Sequence, residues 1–69
     1  MVPYEFEGDG VTTAFTFPSA FRSGSLLLFR NGGLTKDYTE LPGRAGVSFT
    51  SAPEGGDYKD EFFAYYAKA

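Results

Sequence analysis

The sequence predicts a small all-β domain, an antiparallel sandwich or barrel of about six short strands. Three observations favour this fold. Apolar and polar residues alternate in several short runs. Turn-forming Gly, Pro and Asn residues separate these runs at intervals of roughly ten residues, and no stretch keeps a helical period. The 69 residues suffice for one domain, so 1–69 is taken as a single module.

The first two strands follow from strict alternation. In 3–7, Tyr4 and Phe6 alternate with glutamates, which is typical of a half-buried strand. A Gly-Asp-Gly turn follows, and alternation resumes over 12–17. Pro18 ends the second strand because proline lacks the amide hydrogen that a sheet requires.

The segment 26–30 is the most apolar part of the chain. It is predicted to be the central strand, covered on both faces. The Asn31-Gly32 pair after it is the strongest short-range turn signal, because both residue types tolerate positive φ. Three further strands are predicted at 37–41, 46–50 and 61–66.

The last predicted strand, 61–66, is apolar on both faces. Its alternation puts one set of side chains on one face and a second set on the other. These sets are Phe62, Ala64 and Tyr66, and then Phe63 and Tyr65. A strand of this kind lies inside a sheet or covers a neighbouring strand.

Composition argues against several classes of function. Without Cys or His, the chain has no disulfide, no thiolate or imidazole metal ligand and no Ser-His hydrolase site. No glycine-rich phosphate motif is present, so we expect no enzyme activity and no cofactor. A net charge of −3 argues against nucleic-acid binding. The apolar runs are too short to span a bilayer, and no signal peptide is visible.

Two groups of acidic residues resemble functional sites. Glu5, Glu7 and Asp9 precede Gly10 as in a calcium loop, but Thr16 stands where the bidentate acid belongs, so no metal site is expected.

The second acidic group consists of Asp57, Asp60 and Glu61. Paired carboxylates do acid–base work only inside a cleft that shifts their pKa values. So small a domain has little interior for such a cleft. This group is therefore predicted to be a solvated face or a docking surface for a basic partner.

Aromatic residues are unusually frequent, with eight Phe and five Tyr. A chain of this size has a small interior, so we expect surplus rings at the surface, covered by other molecules. Arginine is favoured at interfaces because its planar fork pairs with carboxylates and stacks on rings. The candidate interface residues are Phe21, Arg22, Arg30, Phe62, Phe63, Tyr65 and Tyr66.

The order of the motifs resembles a module of tailed-bacteriophage fibre and appendage proteins, the attachment region that opens T7-like tail fibres. The first motif is YEFEGDGVTTAFTFP at 4–18. The later motifs follow in the family's order: LFRNG at 28–32, DYT at 37–39 and VSFTSAP at 47–53.

The resemblance implies a non-enzymatic structural protein of a phage virion, assembled in the host cytoplasm. It would dock on other virion proteins of the tail, neck or capsid as part of a tail or neck fibre or appendage. Such modules usually belong to symmetric homo-oligomers.

Two differences from the family refine this expectation. The family's module heads a longer fibre, whereas this sequence ends at Ala69, and its closing segment 57–63 is more acidic than usual. Both favour docking over recognition of a host receptor. The small size also suggests an alternative, a capsid decoration (cement) protein. A more distant alternative is a carbohydrate-binding module, since Tyr and Phe rings stack on sugars.

Overall fold

Two antiparallel sheets make up the computed structural model, which describes residues 1–69. The strands are β1 (Val2–Glu7), β2 (Ala14–Thr16), β3 (Leu27–Arg30), β4 (Gly33–Thr35), β5 (Thr39–Glu40), β6 (Gly46–Ser48) and β7 (Glu61–Tyr66). Short 3₁₀ turns occupy Pro42–Arg44 and Gly56–Tyr58. The all-β prediction is confirmed, with β4 as an extra strand too short and glycine-rich to show alternation.

The larger sheet has the order β1-β7-β3-β4, and the smaller sheet has the order β2-β6-β5. Strand β7 has the predicted bounds, 61–66. It pairs with β1 on one side and with β3 on the other, so Phe63 lies between Glu5 and Phe29. Of the two positions predicted for this strand, inside a sheet or covering a neighbouring strand, the structure has the first.

Strand β3 differs from its prediction. It does lie between β7 and β4, but only one of its faces is covered. Leu28 is fully buried, whereas Leu27 is 43% exposed. The physical reason is that the smaller sheet packs against one side of the larger sheet and nothing covers the other side.

The predicted Asn31-Gly32 turn joins β3 and β4. Arg30 pairs with Gly33, which leaves a loop of two residues. The φ angles of Asn31 and Gly32 are 52° and 87°. Both values lie in the left-handed region that this tight hairpin turn requires, which explains the Asn-Gly pair.

The strands of the smaller sheet are shorter than predicted. Strand β2 covers 14–16 rather than 12–17, and β5 covers 39–40 rather than 37–41. Strand β6 covers 46–48 rather than 46–50. At Gly46 the backbones of β6 and β2 come very close, since a Cβ there would lie 2.0 Å from the Phe15 carbonyl oxygen.

The core consists mainly of rings between the two sheets. Phe6 of β1 stacks on Phe62 of β7, with centroids 4.8 Å apart, and contacts Phe15 of β2 at the same distance. Phe49 lies 5.0 Å from Phe62. Such pairs add about 0.5–1.5 kcal/mol each beyond the burial of area. The buried apolar residues are Phe6, Phe17, Phe21, Leu28, Val47, Phe49, Phe62, Ala64 and Tyr66.

Three rings predicted as partner contacts belong to this core. Phe21, Phe62 and Tyr66 are 0%, 3% and 0% exposed, so the prediction that places them at an interface is wrong. Phe62 and Tyr66 point inward from β7, and Phe21 packs against Tyr66 with centroids 6.0 Å apart. The interior therefore takes up more rings than its size suggests.

Candidate docking surface

The face of the larger sheet that points away from the smaller sheet collects apolar side chains from three strands. Directly paired residues of neighbouring strands point to the same side of a sheet. Phe63 pairs with Phe29, and Phe29 pairs with Leu34. One step along β7, Tyr65 pairs with Leu27. We call these five residues, Leu27, Phe29, Leu34, Phe63 and Tyr65, the outer ring patch.

The outer ring patch is continuous and accessible. The Phe63 ring lies 6.4 Å from Phe29 and 6.2 Å from Tyr65, centroid to centroid. Leu34 is 57% exposed, and Phe63 and Tyr65 are 36% and 37% exposed. The exposed apolar area is on the order of 300 Å², which is typical of the largest such patch on a single chain and often functional.

Carboxylates border the patch on the side of β1. Glu5 pairs with Phe63, and Glu7 pairs with Glu61, so all three glutamates share the outer face with the rings. Glu7 forms an ion pair with Lys59, which raises the lysine's pKa. Glu5 and Glu61 form no ion pair. The border therefore carries uncompensated negative charge.

Two open grooves lie at this acidic border, one of about 340 Å³ and the other of about 370 Å³. Both are lined by Glu5 and Glu61, and the larger is also lined by Phe29 and Phe63. The larger groove thus combines aromatic residues of the patch with carboxylates.

Two of the predicted interface rings, Phe63 and Tyr65, lie in the outer ring patch. Leu27, Phe29 and Leu34 were not among the predicted interface residues. Alternation along β3 indicates that Leu27 and Phe29 face outward, because Leu28 and Arg30 face inward. No sequence signal revealed that this face lacks a cover, because that depends on where the second sheet packs.

Arg30 has an internal contact that the sequence analysis did not foresee. Its Nη2 donates to Asp60 Oδ2 over 2.5 Å, and its guanidinium carbon lies 5.4 Å from the centroid of Phe62. The guanidinium is engaged within its own chain. Its side chain is still partly exposed, so Arg30 remains a predicted partner contact.

Asp60 is buried rather than part of a solvated acidic face, which corrects that prediction. Besides Arg30, its carboxylate accepts hydrogen bonds from Asn31 Nδ2 at 2.9 Å and from the Glu54 amide at 3.0 Å. The Asp60 carbonyl also accepts from the Gly8 amide. Asp60 therefore joins the β3–β4 turn, the loop before β7 and the end of β1.

The hydrogen bonds to Asp60 stabilise its charged form. Donation by Arg30 contributes most, followed by Asn31 and the Glu54 amide, and together they lower the pKa of Asp60 from 3.8 to about 2. A carboxylate with this pKa stays ionised near neutral pH. Here its charge holds the turn and the loop together.

Asp9 closes the turn after β1. Its Oδ1 accepts from the amides of Val11 and Thr12, and its Oδ2 accepts from the Thr12 hydroxyl. The Thr12 hydroxyl bond is the largest contribution that lowers the pKa of Asp9 to about 2. The segment that resembles a calcium loop in sequence is thus a turn, closed by hydrogen bonds from backbone amides to the Asp9 side chain. No group of three acidic side chains is close enough to hold a metal ion.

Arg22, the remaining predicted interface residue, is exposed and is not one of the residues of the outer ring patch. Its Nε donates to the Lys68 carbonyl, and the Phe21–Lys68 bridge beside it ties the connector to the end of the chain. Its Nη atoms form no hydrogen bond or ion pair within the chain. It remains a predicted contact.

Comparisons with protein-family models, curated proteins and solved structures gave no match to this chain. The resemblance to phage fibre modules therefore remains a prediction. The structure contains no helix with the length and apolar character needed to cross a membrane.

Proposed function

We propose that this chain is a non-enzymatic structural module of a tailed-phage virion, and that it docks on other virion proteins within a tail or neck fibre or appendage. The observation that carries the docking role is the outer ring patch. Phe63 and Tyr65 remain accessible on a sheet whose other face is a closed aromatic core. The order of motifs in the sequence supports the assignment to a phage appendage.

The chemistry of the carboxylates favours a structural role over catalysis. The two carboxylates with strongly lowered pKa values, Asp9 and Asp60, are saturated by hydrogen bonds from their own chain. Their charge fixes turns and loops. The chain has no His or Cys to provide a base or nucleophile near neutral pH.

The area of the patch fits a role in an assembly. A standard stable interface buries about 800 Å² on each partner, and the patch on the order of 300 Å² provides only the apolar centre of such an interface. Many weak contacts on a symmetric particle compensate by avidity. A homo-oligomer within the virion, with cyclic symmetry matching the tail or neck, is part of this proposal.

The direct test is quantitative mass spectrometry of purified particles of the phage that encodes the chain. We expect the chain in the particles, at a copy number that is a small multiple of the tail or neck symmetry. One copy or more per capsid subunit would instead establish the alternative, a capsid decoration protein. Absence from particles, when the chain is abundant in infected cells, would contradict both assignments. Particles from a deletion mutant are the control.

A carbohydrate-binding module is the second candidate. The observation that favours it is the set of exposed rings: Phe63 and Tyr65 stack with an interplanar angle of 25°, and Tyr58 is 92% exposed. Flat accessible rings provide the platforms on which sugars stack. Binding on a glycan array that Tyr65→Ala abolishes would establish this function, and an empty array would eliminate it.

A further inference from the structure

The outer ring patch is bordered by acidic side chains whose charge the chain does not neutralise. Glu5 lies directly across from Phe63, and Glu61 lies two residues before Phe63 on the same face of β7. Carboxylates thus flank the Phe63 ring along the strand and across the strand pair. Neither has a cationic neighbour within ion-pair distance.

The pairing of Glu7 with Glu61 is unfavourable for the isolated chain. Like charges directly opposite each other on neighbouring strands destabilise a sheet. Lys59 pairs with Glu7 and interacts more weakly with Glu61, so a single cation faces two carboxylates. A cation supplied from outside would relieve the remaining repulsion. The sheet therefore has an electrostatic reason to bind a cationic partner at this border.

The grooves at the border suit arginine in particular. A guanidinium is planar, stacks on aromatic faces and forms paired hydrogen bonds with a carboxylate. Here ring faces of Phe29 and Phe63 line the same groove as the carboxylates of Glu5 and Glu61. A lysine ammonium would pair with the carboxylates but lacks the planar surface for stacking.

We infer that the outer ring patch, together with Glu5 and Glu61, binds a segment of a different protein that carries arginine beside apolar side chains. This inference rests on the proposed docking function for the partner's place in a virion, and it adds the partner's chemistry. The apolar side chains cover the rings while the guanidinium pairs with the acidic border.

A second copy of this chain fits the site less well. Each of its three arginines already donates to its own chain. Arg30 holds Asp60, Arg44 donates to the Phe21 carbonyl, and Arg22 donates to the Lys68 carbonyl. Arg22 and Arg44 use only Nε in these contacts, but a second copy would also bring its own net charge of −3 to an acidic border. The occupant is therefore assigned to another protein.

The test uses the intact chain and the blocked hexapeptide Leu-Leu-Arg-Arg-Leu-Leu. When extended, either face of this peptide presents one arginine between leucines. We expect NMR titration to shift the amide signals of Glu5, Phe29, Glu61, Phe63 and Tyr65. Replacing both arginines by citrulline, the neutral isostere, should weaken binding about fivefold to tenfold.

Matched variants separate local pairing from net charge. Glu5→Gln with Glu61→Gln removes two charges at the border and should weaken binding of the arginine peptide about fivefold to tenfold. Asp37→Asn with Glu40→Gln removes the same number of charges elsewhere and should leave the affinity unchanged. All four residues are exposed, so both variants are expected to fold.

Three results would overturn the inference: equal binding of the citrulline peptide, signal shifts confined to residues outside the patch, or no binding. Self-association in sedimentation that the Glu5→Gln, Glu61→Gln variant abolishes would also overturn it, since a second copy would then be the occupant. The particle analysis stays independent. A chain present in virions without peptide binding would refute the partner's chemistry and leave the proposed function standing.

Discussion

The two faces of the larger sheet carry similar side chains but have opposite environments. In β7, Phe62 is 3% exposed while its neighbour Phe63 is 36% exposed, and Tyr66 is 0% exposed while Tyr65 is 37% exposed. Successive side chains of a strand point to opposite faces, and only one face meets the second sheet. Residue type alone therefore does not separate core rings from docking rings. The direction of each side chain and the place of the second sheet do.

The largest expected difference between the faces comes from removing one ring on each. Phe62→Ala should lower the free energy of unfolding by about 3–5 kcal/mol, because Phe62 contacts three other buried or half-buried rings between the sheets. Phe63→Ala should cost about 1 kcal/mol or less, because its ring is already partly solvated. Urea denaturation followed by circular dichroism measures both.

Since a small domain has little stability to lose, Phe62→Ala is expected to bring it close to unfolding at room temperature. Phe62→Leu, which retains most of the apolar volume, provides a measurable intermediate. Equal losses for Phe62→Ala and Phe63→Ala would show that the outer face is covered in solution.

The second largest effect concerns close packing beside the core. At Gly46 an added Cβ would meet the Phe15 carbonyl oxygen at 2.0 Å, so Gly46→Ala should lower the unfolding free energy by about 2–3 kcal/mol through backbone displacement. At Gly33, in the exposed hairpin, the nearest atom to an added Cβ is 3.7 Å away. Gly33→Ala should be neutral or slightly stabilising. A lower unfolding temperature for Gly33→Ala than for Gly46→Ala would contradict the close approach of β6 and β2.

The third largest effect concerns the hydrogen bonds of Asp60. Asp60→Asn removes the ion pair with Arg30 and weakens the hydrogen bonds from Asn31 and the Glu54 amide. We expect a loss of about 2 kcal/mol, measured by urea denaturation at neutral pH. The exposed Asp57→Asn is the control and should leave the midpoint unchanged. If Asp60→Asn left the free energy of unfolding unchanged, Asp60 would not hold the loop and turn together.

The lowered pKa of Asp60 predicts that the stability of the protein depends on pH. The folded-state pKa of Asp60, about 2, lies below its unfolded value of 3.8. Its stabilisation is therefore fully present above pH 3.8 and is lost as the pH falls through the folded-state pKa. Asp60→Asn should flatten the decline in the unfolding midpoint between these two pH values. An unchanged slope would contradict the lowered pKa.

The smallest effect is expected on the outer face. Lys59 and Glu7 form an exposed ion pair, and such pairs contribute little and are screened by salt. Lys59→Gln should leave the urea midpoint unchanged in high salt and lower it slightly in low salt, where the Glu7–Glu61 repulsion is felt. A large, salt-independent loss would show that Lys59 has a packing role.

Much of the larger sheet could be predicted from local pattern. The bounds of β7, its interior position and the Asn31-Gly32 turn all follow from alternation and turn chemistry, which act between near neighbours. Asp60 could not be assigned correctly in this way. Its partners Arg30 and Asn31 lie 30 and 29 residues away along the chain, so nothing in its own neighbourhood separates a buried anion from a solvated one.

The amino-acid sequence by itself determined the all-β class, because alternation and turn residues bias each segment without reference to the rest of the chain. Only the tertiary structure decided which rings are buried and which are exposed. Alternation separated Phe62 and Tyr66 from Phe63 and Tyr65, but nothing in the sequence showed which of the two sets is buried. Their burial was decided when the smaller sheet packed on one side of the larger, a long-range choice that no local pattern records.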